Sequence, residues 1–177
     1  REMVAAHLAD SLSLVPLLDE APDGATVVDV GSGGGLPGIP IRIARPGLRV
    51  ELVEPVRKKA AFLRQCGAEL GLSGLGVHEC RVEDLELGAE PAVITSRAFA
   101  SLADFAAAVA GIAGPRTRLL AMKGARPDAE IEELLARGLP WRIRAIESLE
   151  VPGLDAKRCV VVLEPGLNFP VPNPTEP

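Results

Sequence analysis

The chain has 177 residues, 47% hydrophobic and 24% charged, with a formal net charge of −5. That is enough for one globular domain with a full core, and no apolar run reaches the length of a membrane span. The acidic charge does not advertise a nucleic-acid binder, although a local basic patch is compatible with it.

Arg1 to Leu18 has neither a long apolar core nor a cleavage pattern, so no signal peptide is expected and the cytoplasm is the expected compartment. The periodicity predicts a helix over Ala5 to Leu18, with Leu8, Leu12 and Val15 at helical spacing. Thr26 to Val30 reads as a buried strand. Ile39 to Ala44 reads as a short helix, with Pro40 in its first turn and Pro46 past its end. A second strand is expected over Arg49 to Val53, then an amphipathic helix from Arg57 to Leu70 burying Ala60, Leu63 and Leu70. Val77 to Cys80 is a polar strand suited to a sheet edge. Ala92 to Thr95 is a fourth strand, followed by an alanine-rich helix from Ser101 to Ala113 with Ser101 as its cap. Arg118 to Met122 is a fifth strand, and Asp128 to Arg137 a helix. Arg142 to Ser148 and Arg158 to Leu163 are two closing strands, joined too briefly for a helical crossover, so they should pair antiparallel. Residues 1–163 are thus expected to form a single domain, and 164–177 a proline-rich irregular tail. Cys66, Cys80 and Cys159 are odd in number and widely spaced, so each reads as a small core residue.

This alternation predicts an α/β fold: a doubly wound sheet with helices on both faces and its ligand beyond the carboxyl ends of the strands. At the end of the first strand lies "VVDVGSGGGLPGIP", Val27 to Pro40, which holds five of the chain's 18 glycines. Such a turn lets backbone approach a ligand closely. The spacing Gly33, Gly35, Gly38 matches the dinucleotide pattern, but Pro37 and Pro40 remove two of the amides that a pyrophosphate would need. Asp29, two residues before Gly31, would repel a pyrophosphate and would suit the cationic amino group of S-adenosylmethionine. Asp29 is alternatively a turn or helix cap. Glu54 ends the second strand, about 20 residues on, where an acid binds ribose hydroxyls of either cofactor. Glu83 and Asp84 follow the third strand, Arg97 the fourth and Lys123 the fifth. Each is otherwise a solvated or paired strand-end charge. His7 and His78 are far apart in sequence, and neither a metal site nor a serine–histidine triad is indicated.

"DVGSGGGLPGIP" followed by "SRAFASL" and "KG" resembles the bacterial 16S rRNA guanine-N7 methyltransferases, the glucose-inhibited division protein B family. The resemblance runs from "HLADSL" at His7 to Leu12 through the last closing strand. It implies a class I methyltransferase sheet of seven strands, mostly parallel with an antiparallel closing strand. It also implies S-adenosyl-L-methionine as cofactor and 16S rRNA or the small ribosomal subunit as partner; the sequence does not give the oligomeric state, for which a monomer is favoured. By resemblance, Gly31, Leu36, Val82, Glu83 and Arg97 contact the cofactor, beside Asp29, Gly33, Gly35 and Glu54 from the residue-level reading. No catalytic residue is assigned. Lys123 is the candidate for positioning RNA. The chain departs from the family at Ala6, where relatives often carry a basic residue, and in "PGLNFPVPNPTEP", which holds no Lys or Arg. A methyltransferase for a small molecule or protein, or an NAD-binding module, are the alternative readings.

Overall fold

The computed structural model describes residues 2–97, 99–149 and 157–170, with the side chains of 2–5 excepted. Seven strands, Thr26–Val30 (β1), Arg49–Val53 (β2), Leu75–His78 (β3), Val93–Ser96 (β4), Arg118–Lys123 (β5), Trp141–Ser148 (β6) and Cys159–Pro165 (β7), form one sheet. Their order is β3-β2-β1-β4-β5-β7-β6. The first five pair in parallel, and β7 runs antiparallel to both β5 and β6. This is the expected mostly parallel α/β sheet with its third strand at the edge, although that strand spans Leu75–His78 rather than the expected Val77–Cys80. The helices are Glu2–Leu12 (α1), Gly38–Ala44 (α2), Arg57–Glu69 (α3), Leu102–Ala108 (α4) and Asp128–Ala136 (α5).

Central strands covered on both faces read as continuous apolar runs, because alternate residues enter different cores. In β1, Val28 and Val30 join Leu102, Phe105 and Leu119 on the side of α4 and α5. Val27 joins Leu14, Leu18, Ile41 and Leu63 on the other side. The same alternation places Asp29 on the α2 side, at the carboxyl end of β1. Helix α4 has seven residues, too few to be stable by propensity alone. It is held by burial of Leu102, Ala103, Phe105 and Ala106, and by Ser101, whose Oγ accepts from Asp104 N at 3.1 Å.

Several boundaries differ from expectation. The Ala5–Leu18 helix is two pieces: α1 ends at Leu12, and Val15–Leu18 is a separate 3-10 turn. Pro16 has no N–H to offer the Leu12 carbonyl, so the α-helical ladder stops. Leu8 and Leu12 are exposed, while Asp10, Ser11, Leu14 and Leu18 are buried, so the buried face is rotated from the expected stripe. Leu70 is 55% exposed because α3 ends before it, although Ala60 and Leu63 are buried as expected. Helix α4 stops at Ala108, with Gly111 and Gly114 in the stretch that follows. The last strand continues to Pro165, and Phe169 packs edge-on to Trp141 with ring centroids 4.9 Å apart. Residues 171–177 of the expected tail lie outside the described residues.

Candidate active site

The strand order reverses direction between β1 and β4, and open α/β sheets bind ligands at such a switch point. Asp29 is in register with Thr95, so the loops after β1 and β4 emerge side by side. Glu83, Glu54, Gly31 and Arg97 follow β3, β2, β1 and β4, and Lys123 ends β5, so the five lie along one rim in that order.

The glycine loop has positive φ at Gly31 (73°), Gly33 (55°) and Gly35 (85°), which residues with side chains rarely adopt. A Cβ on Gly31 or Gly34 would meet nothing within 4 Å, so that face of the loop is open. Gly35 faces inward, where a Cβ would crowd Ile39 and lie 3.1 Å from Leu63 Cδ2. The loop's amides are almost all engaged. Gly31 N and Ser32 N donate to Val53 O, Gly33 N to Glu54 Oε2, and Gly35 N and Leu36 N to Ser32 O. Gly38 N donates to Asp29 Oδ2 at 3.0 Å and Ile39 N to Gly35 O at 2.8 Å. Pro37 and Pro40 have no N–H. Among the described residues, Gly34 is left with the one unengaged loop amide. A pyrophosphate needs several converging N–H groups, and this helix start does not present them.

Asp29 is 0% exposed. Its Oδ2 caps α2 through Gly38, so the capping role considered from sequence is real. Its Oδ1 has no hydrogen-bond partner. Burial pushes its carboxyl up to about 6; the Gly38 N–H, the Ser32 hydroxyl and the Arg97 charge oppose that, and the Glu54 charge adds to it. A buried carboxylate oxygen with no donor is costly, and a cation beside it would offset that cost. Glu54, 3% exposed, accepts from Gly33 N and Val56 N, each at 2.9 Å. It therefore latches the loop to the end of β2, with lone pairs remaining for a hydroxyl donor.

The other candidates divide between interior and surface. Leu36 is half-buried, and Val82 is buried in the core beside Leu85. Glu83 is exposed, 3.8 Å from Arg81. Arg97 Nη1 lies 3.5 Å from His7 Nδ1, which joins α1 to the rim. Lys123 Nζ is 2.7 Å from Glu130 Oε2 and donates to Phe99 O at 3.3 Å. The same Glu130 oxygen accepts from Leu102 N at 2.8 Å, so it ties β5, α4 and α5 together. Sequence reasoning passed over Glu130. Asp10 entered only as the aspartate of "HLADSL", with no role assigned to it, and Arg158 only as a strand-end residue. The three cysteines are free thiols. Among the described residues, no group of His, Cys, Asp and Glu is placed to hold a metal ion.

A larger cleft, 590 Å³, lies at the opposite end of the sheet, where β1, β4 and β5 begin. Its charges answer one another: Glu20 pairs with Arg118 at 3.1 Å and Arg144 at 2.9 Å, and Arg142 with Glu164 at 2.6 Å. It is far from the switch point, and among the described residues each charge that lines it has an opposite partner.

Residues 1–160 match the family model described as rRNA small subunit methyltransferase G. The ribosomal RNA small subunit methyltransferase G of Ralstonia nicotianae is 49% identical over 169 residues, covering 93% of this chain and 74% of its own. That of Cupriavidus necator is 47% identical over 172 residues, covering 92% and 74%. The chain belongs to the rRNA small subunit methyltransferase G family. The solved structure of TrmN from Thermus thermophilus superposes on this family member with a TM-score of 0.67 at 22% identity, over 88% of this chain and 48% of that one. Magnesium protoporphyrin IX methyltransferase from Synechocystis, solved with bound SAM, gives 0.66 at 18% identity, over 92% and 82%. At those identities the likeness shows the fold alone: the chain has the class I methyltransferase fold. No described helix is long and apolar enough to cross a membrane.

Proposed function

We propose that the chain binds S-adenosyl-L-methionine in the glycine loop and methylates N7 of a guanine in 16S rRNA of the small ribosomal subunit. The observation that carries the cofactor assignment is the pairing of an anion-refusing helix start with a buried, half-satisfied Asp29. The loop's amides are engaged, which disfavours a pyrophosphate, and Asp29 Oδ1 lacks a donor. The residues fit the cofactor. Asp29 would take its amino group, Gly31 and Gly33 would offer close backbone approach with Leu36 beside them, and Gly35 would set the turn. Glu54 would take ribose hydroxyls, Val82 and Glu83 would line the base, and Arg97 would close the site. When bound, the cofactor supplies an electrophilic methyl group on a sulfonium sulfur.

Guanine N7 carries a lone pair and no proton, so the chain need not provide a general base. Its task is to hold N7 in line and to exclude water, which supplies much of the barrier reduction. That accounts for a rim without a nucleophilic cysteine or an acid–base pair. Lys123 and Arg97 would hold RNA phosphate or the cofactor carboxylate. The enzyme is read as a cytoplasmic monomer acting on rRNA or the small subunit.

Two measurements test this reading. Calorimetry should show binding of S-adenosylhomocysteine and none of NAD; tight NAD binding with no S-adenosylhomocysteine binding would overturn the cofactor assignment. Incubation of small subunits with methyl-labelled cofactor, followed by chemical cleavage of the RNA at 7-methylguanine, should give one labelled site. Methylation of protein alone would overturn the substrate assignment.

A further inference from the structure

Resting on that reading, we propose that Asp10 recognises the target base by accepting hydrogen bonds from the Watson–Crick edge of guanine. Asp10 lies on α1 and is 5% exposed. Its Oδ1 accepts no hydrogen bond, although Arg158 Nε lies 3.5 Å away. The arginine balances the charge and leaves the oxygen's lone pairs unanswered. Buried polar atoms almost always find a partner, so an exception beside a pocket marks a place for a ligand donor.

That pocket exists. Asp10, Arg97, Phe99, Met122, Lys123 and Arg158 line a cavity of 370 Å³ beyond the ends of β4 and β5. Small-molecule sites begin at about 300 Å³. Arg97 is shared with the residues proposed to hold the cofactor, so the pocket opens next to them. Phe99 and Met122 provide apolar walls on which a base rests, and the three cations suit flanking phosphates.

The chemistry of a carboxylate selects among the bases. An ionised carboxylate only accepts hydrogen bonds. Guanine presents two adjacent donors, N1–H and the N2 amino group. Adenine presents an N1 lone pair there, cytosine an N3 lone pair, and uracil a single N–H between two carbonyls. Guanine is the one standard base whose edge matches Asp10 without a facing acceptor. N7 lies on the other side of the ring and stays free. Methylation at N7 makes the base cationic and N1–H a stronger donor, so the contact tightens as charge develops, the condition for assisting the reaction as well as binding.

The test is calorimetry with GMP, IMP and AMP in saturating S-adenosylhomocysteine. IMP keeps N1–H and lacks the N2 amino group. Wild type should rank GMP over IMP over AMP, with GMP roughly 10- to 100-fold tighter than AMP. Asp10→Ala should bring GMP to the level of AMP. If Asp10→Ala does not fold, the near-isosteric Asp10→Asn carries the test; its amide fits the adenine edge and should erase or invert the ranking. Glu132→Gln, an exposed change of charge outside the pocket, should keep the preference for GMP. Equal or undetectable binding of the nucleotides to wild type would overturn the inference. So would a preference that survives in the Asp10 variants, or one that collapses equally in Glu132→Gln. A chain that fails to bind S-adenosylhomocysteine overturns the underlying function instead. Intact cofactor binding and rRNA methylation without guanine preference overturn the Asp10 assignment alone.

Discussion

Stability and binding make opposite demands on Asp29. Burial raises its carboxyl from the ordinary 3.8 to about 6. Between those pH values the folded chain holds a proton that the unfolded chain has released. The favourable contribution of the protonated group is therefore complete below about pH 4 and is lost as pH rises through 6, a change on the order of 3 kcal/mol. Asn at this position keeps an acceptor for Gly38 N–H and cannot ionise. Asp29→Asn should thus be more stable than wild type at pH 7.5 in urea unfolding, by one to a few kcal/mol, about, with the advantage shrinking toward pH 4. A difference that does not vary with pH would rule out ionisation as its source. Binding should move the other way. A cationic amino group selects the ionised carboxylate, so S-adenosylhomocysteine affinity should fall about tenfold per pH unit below 6. Asp29→Asn should abolish that dependence and most of the affinity.

Among the elements, the glycine loop separates positions that face a ligand from positions that face the core. Gly31 has φ 73° and open space where a Cβ would point. Gly31→Ala should cost about 1–2 kcal/mol from the left-handed backbone while the fold persists. Its larger effect should be on cofactor affinity, and Gly31→Val should abolish binding. Gly38 is the converse. A Cβ there would crowd Leu52 and lie 2.8 Å from Asp29 Oδ2. Gly38→Ala should lower the melting temperature more than Gly31→Ala, because it pushes apart the cap that joins β1 to α2. Equal melting temperatures would contradict these packing differences. β1 and β2 were legible to the residue, since Val27, Val28 and Val30, and Val50, Leu52 and Val53, form short apolar runs bounded by turn residues, each interrupted by a single acid, Asp29 or Glu51. The rim was legible because chain order alone assigns each candidate to a strand end. Helix α1 was less so. Its leucine spacing was genuine, but its buried face is set by which side meets the sheet, and local periodicity does not encode that. The partners of Asp10 and Lys123 are Arg158 and Glu130, one distant in sequence and one on the next helix. Tertiary pairing, not spacing, brings them together.

For the whole molecule, the question is how a chain of net charge −5 holds a polyanion. The opposite end of the sheet concentrates arginines, yet Glu20, Glu90 and Glu164 stand among them. At the rim, Arg97, Lys123 and Arg158 share one pocket, with Lys123 tied to Glu130 at 2.7 Å. RNA phosphate would have to compete with that glutamate for the ammonium. Glu130→Gln keeps an acceptor for Leu102 N–H and removes the competing charge. It should bind small-subunit RNA more tightly, with a steeper fall in affinity as salt rises. Lys123→Ala should weaken binding and reduce the slope of log affinity against log salt by about 0.7–0.9, the loss of one phosphate contact. The double variant should resemble Lys123→Ala, since an unpaired glutamate matters only through the lysine that it restrains. Glu132→Gln, on the exposed side of the same helix, changes the net charge equally and serves as the comparison. If Glu132→Gln matches Glu130→Gln across the salt series, the effect belongs to overall charge. If neither Glu130→Gln nor Lys123→Ala changes RNA affinity, Lys123 is a tie within the fold, and the phosphate contacts lie elsewhere on the rim.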